Sequence, residues 1–373
     1  MAAGSARNRE GFPLYRRVYE SRLSTSPGTS ELSSPAQSQS PERSRIARLL
    51  GYGLALICLI WVLRDFHIVQ ALRELANVNW RWVLLGMAFD VVSYGIQALR
   101  WKFLLNPFGK VRLTRSIRAI YAGLFANLVF PLRPGEFLRS YLLSNSEEIT
   151  LGRVLGSVGV ERLVDLVIAT AGLAVVSLFV ELPRRFERLA YILGIVTLVI
   201  VVVVVSLILY LELKLGSEPE PQAGRRLPGK AMAALVALHA MGTAPSFYPA
   251  VLTSLLVPFC QVLGIWAMMH AYRLHLSFMA AVVVLLVINL GVSLPNAPAN
   301  LGSYQFFCVL GLSVFDIERA TASGFSFFAF LGLTLPIALL GFAAVVRSGL
   351  SLRSMREKVT SLPRQAVGSA PRL

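Results

Sequence analysis

Apolar stretches recur along the chain from residue 46 to residue 346, separated by short polar breaks. They run over 46–63, 81–105, 117–131, 136–143, 154–180, 188–212, 247–271, 277–294, 301–315 and 320–346. Crossing a bilayer as a helix takes ~20 apolar residues. Most of the stretches approach or exceed that length, and 136–143 is too short. A further stretch, 230–243, reads as an interfacial or re-entrant piece. The pattern predicts an all-α polytopic membrane protein with six to eight transmembrane helices plus re-entrant or broken helices. Residues 117–131 and 136–143 are expected to enter the membrane and return to the same side. Residues 277–294 and 301–315 are expected to be two halves of one crossing.

Composition agrees. The chain of 373 residues is 55% hydrophobic and 15% charged, with a mean hydropathy of +0.63. Soluble domains run near ~45–50% apolar and ~25% charged. A soluble globular enzyme and a disordered protein are both excluded. Residues 1–45 are rich in Ser and Pro and are expected to form a disordered cytoplasmic tail. Residues 46–348 form the membrane domain, and 349–373 a basic cytoplasmic tail. No secretory signal is visible. The weak pattern over 12–23 fits a short surface helix.

The net charge is +16, which in a soluble protein would suggest nucleic acid. Here the basic residues follow the loops. The pieces 1–48, 100–118, 213–230 and 347–373 carry 24 Lys and Arg, against 8 in 64–81, 181–188, 272–276 and 316–319. Basic loops face the cytoplasm, so the chain is expected to be integral to the cytoplasmic membrane with both termini on the cytoplasmic side, and no nucleic-acid partner is expected.

Little points to cofactor chemistry. The stretch 224–231 approaches a phosphate-binding loop, but Ala231 stands where Ser or Thr would hold magnesium, and no strand precedes it. The four histidines are scattered, and Cys58, Cys260 and Cys308 sit apart in apolar segments. No metal, no cofactor and no catalytic group is expected.

The informative region is 127–165. Pro131, Pro134 and Gly135 interrupt an apolar helix. Proline removes a backbone donor, and Gly135 is expected to permit the change of direction. Broken backbone survives in a membrane only where protein buries it or a wet cavity meets it. Arg133, Glu136 and Arg139 are spaced by three around this break. Two arginines beside a helix N-terminus make a phosphate receptor. Glu161, Arg162 and Asp165 lie inside the next apolar segment, where each charge costs on the order of 2.5–3.5 kcal/mol on insertion scales. Their expected partners are Arg133 and Arg139. One reading is an ion-pair network that pins two helices; the other is a substrate path, and the two are compatible.

A second break carries Pro295, Asn296, Pro298, Asn300, Gly302 and Gln305, with amides in place of charges. Interrupted segments in both halves of a chain point to a transport site near the midplane. Asp90, with Gln97 two turns on, is a lone intramembrane carboxylate that either pairs with an arginine or carries a proton.

The run from Asn127 through Pro131, Arg133, Gly135, Glu136 and Arg139, followed by Glu161, Arg162 and Asp165, resembles the lysylphosphatidylglycerol synthase transmembrane-region family, also called flippase-like proteins. Pro295, Pro298, Gly302 and Gln305 match its second signature, with departures at Ala299 and Gln305. The resemblance covers roughly 46–348 and implies a multi-span helical fold linked to moving a lipid between leaflets. It implies the translocating part alone, because no soluble synthase or glycosyltransferase domain is present.

The leading expectation is therefore a translocase for a phosphate-bearing lipid: a phospholipid, an aminoacyl- or glycolipid, or a polyprenyl-linked lipid. Arg133, Glu136, Arg139, Glu161, Arg162, Asp165, Asn127, Asn296, Asn300 and Gln305 would line its site. The alternative is a scaffold for a separate lipid-modifying enzyme or glycosyltransferase. A membrane enzyme acting on a lipid phosphate is the weakest reading, since the charged cluster lacks a histidine, a metal motif or a nucleophile.

Overall fold

A computed structural model describes residues 41–64, 66, 73–131, 133–180, 184–215, 238, 240–293 and 297–349. The chain divides into Met1–Ser44 and Arg45–Leu373, and the apolar helices belong to the second unit. The expected tail lies outside the described residues up to residue 40. So do the surface segment 12–23, the stretch 224–231 and the basic tail from residue 350 onward.

The described residues form helices and no strands. They are α1 (Pro41–Arg64), α2 (Trp80–Leu105), α3 (Leu113–Val129), α4 (Gly135–Glu147) and α5 (Leu151–Phe179). After them come α6 (Arg184–Leu215), α7 (Phe247–Ala271), α8 (Phe278–Val292), α9 (Ser303–Leu312) and α10 (Arg319–Arg347). Each apolar stretch from 46 to 346 has its helix. Four of them, α2, α5, α7 and α10, are long and apolar enough to cross a membrane. Shorter apolar stretches lie at Tyr52–Arg64, Tyr191–Leu207 and Phe278–Val292. The chain is an all-α membrane protein.

The bundle is built on α2 and α7, which run antiparallel. At one end Asn79 N–H donates to the Ala271 carbonyl at 3.1 Å, and the Trp82 ring meets the edge of Trp266. At the other end Leu104 packs with Ala250. Between them glycines permit close approach: a Cβ on Gly86 would stand 3.0 Å from the Gly264 carbonyl oxygen.

The short helices pair into two hairpins. At ~1.5 Å per residue, α3 reaches ~26 Å and α4 ~20 Å, short of a ~30 Å hydrocarbon core. They fold back on each other where Gly123 meets Gly135: a Cβ on Gly135 would collide with the Gly123 carbonyl oxygen. Glu147 clips their open end, accepting from the Arg112 N–H at 2.8 Å and pairing with Arg115 at 3.0 Å.

The pair α8 and α9 corrects the expectation of a single interrupted crossing. Gly291 lies against the Phe307 ring, and Gly311 against the Val284 backbone, where an added Cβ would stand 3.1 Å from Cα. Contacts that widen in sequence this way define an antiparallel hairpin. Two glycines allow the backbones to close up, so the chain reverses instead of continuing across.

The run α2–α5 and the run α7–α10 thus repeat one plan, with lengths of 26, 17, 13 and 29 residues against 25, 15, 10 and 29. The first hairpin opens at the C-terminal end of α2, where Leu105 and Val111 pack with Leu143. The second opens at the C-terminal end of α7, where Ala271 and Tyr272 share a cluster with Ala281 and Leu312. Because α2 and α7 are antiparallel, the hairpins enter the bundle from opposite ends. Packing is exchanged between the halves, α3 lying on α10 and α8 on α5. Inverted repeats of this kind place their broken elements together at mid-depth.

Replacing Gly291 by alanine drives a methyl into the Phe307 ring and is expected to cost about 1–3 kcal/mol by overpacking. Phe307→Ala in the same chain should recover part of that loss. Gly135→Ala meets backbone, so no side-chain truncation should rescue it. Melting temperatures of the singles and the double in detergent check both statements.

Candidate functional site

The first break is shaped by four local features. Pro131 and Pro134 end α3 and start α4, with Pro134 at the N-cap. Arg133 takes the positive-φ conformation at +50°. Gly135 was expected to make the turn, but its φ is not positive; its lack of a side chain serves the contact with Gly123. Asn127 reaches across the hairpin and accepts from the Gly135 N–H at 2.7 Å. One of the free N–H groups expected to face an anion is therefore capped by the chain itself.

Behind the break lies a network centred on Glu161. Arg100 of α2 donates to Glu161 and, at 2.5 Å, to Asp165. Arg139 of α4 pairs with the second Glu161 oxygen at 2.8 Å and lies over the Trp101 ring at 5.0 Å. Gln97 donates to Glu161 at 2.7 Å, and Trp101 Nε1 to Ser157 at 2.8 Å. Arg100 and Glu161 are each 1% exposed and Arg139 is 5% exposed. Three helices are thus locked through one carboxylate.

The network opens outward. Arg162 pairs with Glu136 and, at 3.5 Å, with Asp165. Its side chain is 47% exposed, and those of Glu136 and Asp165 are 33% exposed. These three form a charged rim on the buried lock.

The sequence places Arg139 correctly against Glu161 and errs on the other partner. Arg133 pairs with no carboxylate among the described residues; it donates to the Val292 carbonyl at the end of α8, at 2.6 Å. The second cation is Arg100, assigned from sequence to a basic loop. Its signal was present: Asp90, Tyr94, Gln97 and Trp101 recur at helical spacing on one side of α2, with Arg100 beside them. The apolar stretch extends past Arg100 to Leu105, which puts it inside the helix.

The second break faces the first. Ala299, Asn300 and Gly302 all have positive φ, between +57° and +86°. Gln305 caps its own helix by accepting from the Gly302 N–H at 2.7 Å, and its Nε2 has no partner among the described residues. The Gly302 backbone runs against the Ala55 carbonyl of α1, leaving no room for a Cβ. The 3-10 turn Pro298–Asn300 packs on α3. Pro295 and Asn296 lie outside the described residues.

The arrangement brings together Arg133, Glu136, Arg139, Glu161, Arg162 and Asp165. Arg133 stands within electrostatic reach of Glu136, Arg139 and Arg162. With Arg100, four arginines face three carboxylates among the described residues. This cluster carries one positive charge in excess, beside two broken helices. Among the described residues no group of acidic, histidine and cysteine side chains could hold a metal ion.

Helical hairpins entering from opposite ends, with a charged cluster where they meet, define a class of polytopic membrane protein built as an inverted repeat. Residues 48–341 match the family described as lysylphosphatidylglycerol synthase TM region, and the chain belongs to that family. It is also similar to a UPF0104 membrane protein of Methanocaldococcus jannaschii, 32% identical over 99 residues. That match spans 26% of this chain and 30% of the relative.

Glu161→Ala strands the buried Arg139 guanidinium and leaves Arg100 with Asp165 as its one carboxylate among the described residues. Removing one partner of a buried pair costs about 3–5 kcal/mol, and a loss of that size should appear as a lower melting temperature. Glu136→Ala, at the exposed rim, should shift it far less.

Proposed function

We propose that the protein moves a phosphate-bearing lipid between the leaflets of the cytoplasmic membrane, with both termini on the cytoplasmic side. The excess positive charge at the meeting of the two breaks carries this reading. A charge held inside a membrane by default marks a substrate or ion path. A lipid phosphate supplies the missing anion, while its acyl chains stay in the bilayer beside the rim.

In this reading the arginines divide the labour. Arg100 and Arg139 are occupied by Glu161 and act as positioning residues. Arg133, bonded to a carbonyl, and Arg162, half exposed, are the groups that meet the phosphate. Glu136 and Asp165 hold Arg162 until the lipid displaces one of them. Asn300 and Gln305, at the second break, are assigned to the far side of the site. The site works as a binder and carrier and requires no catalytic group.

A second reading rests on the family match. It covers a membrane region named for a synthase, over residues 48–341. The chain would then act as the membrane partner of a separate lipid-modifying enzyme or glycosyltransferase. Co-purification of such an enzyme, with no lipid movement by this chain alone, would favour it.

The test is lipid translocation in proteoliposomes with fluorescent phospholipids. A charge-assisted hydrogen bond contributes about 1.5–3 kcal/mol, so Arg133→Ala should slow movement roughly ten- to hundred-fold, with a fall in melting temperature from the lost bond to the Val292 carbonyl. Arg162→Ala should act in the same direction. Wild-type rates in both variants would refute the assignment.

A further inference from the structure

The open end of the first hairpin holds a cavity of about 200 Å³. It lies between the first turns of α3, the last turns of α4 and the residue that follows α10. Arg115 and Arg118 line it from α3, Tyr141, Asn145 and Ser146 from α4, and Ser348 from the end of α10. Among the described residues no acidic side chain lines it. One turn deeper, Leu138 of α4 packs with Ala344 and Val345 of α10. That apolar floor separates the cavity from the Arg133 cluster.

The two arginines stand here in different states. Arg115 donates to the Ser146 carbonyl and pairs with Glu147 at 3.0 Å. The Glu147 side chain is 6% exposed and that of Arg115 35%, so the carboxylate sits behind a guanidinium that faces out. Arg118, one turn on and exposed, has neither hydrogen bond nor ion pair among the described residues. With Arg115 matched by Glu147, the unmatched positive charge is at Arg118. The Asn145 amide and the Ser146 hydroxyl add neutral donors. A held guanidinium, a free one and neutral donors around one hollow suit the oxygens of a phosphate. At ~30 Å³ per water the cavity replaces about six waters, below the ~300 Å³ at which sites for whole drug-sized ligands begin. It has room for a headgroup, not for a larger molecule.

We propose that this cavity is a second phosphate site, separate from the Arg133 cluster, in which Arg118 and Arg115 hold the phosphate group shared by anionic lipid headgroups and free phosphate. It stands independently of the role given to Arg133. Arg118 supplies the unmatched charge, and Arg115 is aligned in advance by Glu147. Phe137, one turn before Tyr141 on the same side of α4, is 47% exposed. That bare aromatic surface below the cavity suits the chains of a lipid and offers nothing to a free ion. A bound phosphate touches α3, α4 and the end of α10 together, so it braces the open end of the hairpin against α10. Because both arginines reach solvent, salt weakens the binding.

The experiment places a reporter in the cavity with Ser348→Cys in a cysteine-free full chain. The Ser348 hydroxyl is spent on the Ala344 carbonyl at 2.7 Å, so the change removes none of the proposed donors. Labelling by a neutral maleimide is timed in detergent with inorganic phosphate or short-chain phosphatidylglycerol added. Both should slow labelling, the lipid at the lower concentration; protection by one of them alone supports the site and names that source. Arg118→Gln, at an exposed position, should raise the half-protecting concentration about tenfold. Arg118→Lys, which keeps the charge and loses the fork, should fall between. Glu318→Cys, at the open end of the second hairpin, should be labelled at an unchanged rate. Protection by neither probe, equal protection at Glu318→Cys, or an unchanged half-protecting concentration in Arg118→Gln overturns the site and leaves the translocation reading untouched.

Discussion

A helix broken inside a membrane leaves N–H and C=O groups with no water to turn to, and each unpaired one is costly. The rest of this structure answers that constraint. Asn127 caps the Gly135 N–H on one tip, and Gln305 caps the Gly302 N–H on the other. Arg133 then spans the gap and bonds the Val292 carbonyl at the end of α8. The two tips satisfy their backbones partly through their own side chains and partly through each other. That mutual dependence brings hairpins from opposite ends to one point.

Once the tips meet, the charges follow. A guanidinium placed there needs anions close by, and α5 supplies them from Glu161 and Asp165. Glu161 is held by α2 and α4 together, so α2, α4 and α5 move as one body or not at all. Arg162, Glu136 and Asp165 are tied more loosely and face outward. A rigid interior with an adaptable rim suits a site that must accept a phosphate and let it go.

Much of this is legible from residues alone. Proline and glycine mark both breaks, because they change backbone geometry wherever they fall. The pairing of Arg139 with Glu161 follows from the cost of leaving either charge alone. What escapes is long-range. Gly291 against Phe307 and Gly311 against Val284 turn α8 and α9 into a hairpin, and nothing local announces those contacts. Arg100 escapes for another reason: near the end of an apolar run it reads as the start of a basic loop, and only the packing of α2 on α5 buries it. At Arg133, sequence locates the break, while the choice of that residue over Gly135 for the positive φ depends on the Gly123 contact.

The entry of the two hairpins from opposite faces of the membrane is the arrangement on which the lipid site depends. Single cysteines introduced into a cysteine-free chain, and probed in sealed vesicles with a membrane-impermeant thiol reagent, test it directly. Lys110 and Glu148 stand exposed at the open end of the first hairpin, and His275 and Glu318 at the open end of the second. The first pair should be labelled from one side of the membrane and the second pair from the other. Labelling of all four positions from the same side would contradict the inverted arrangement.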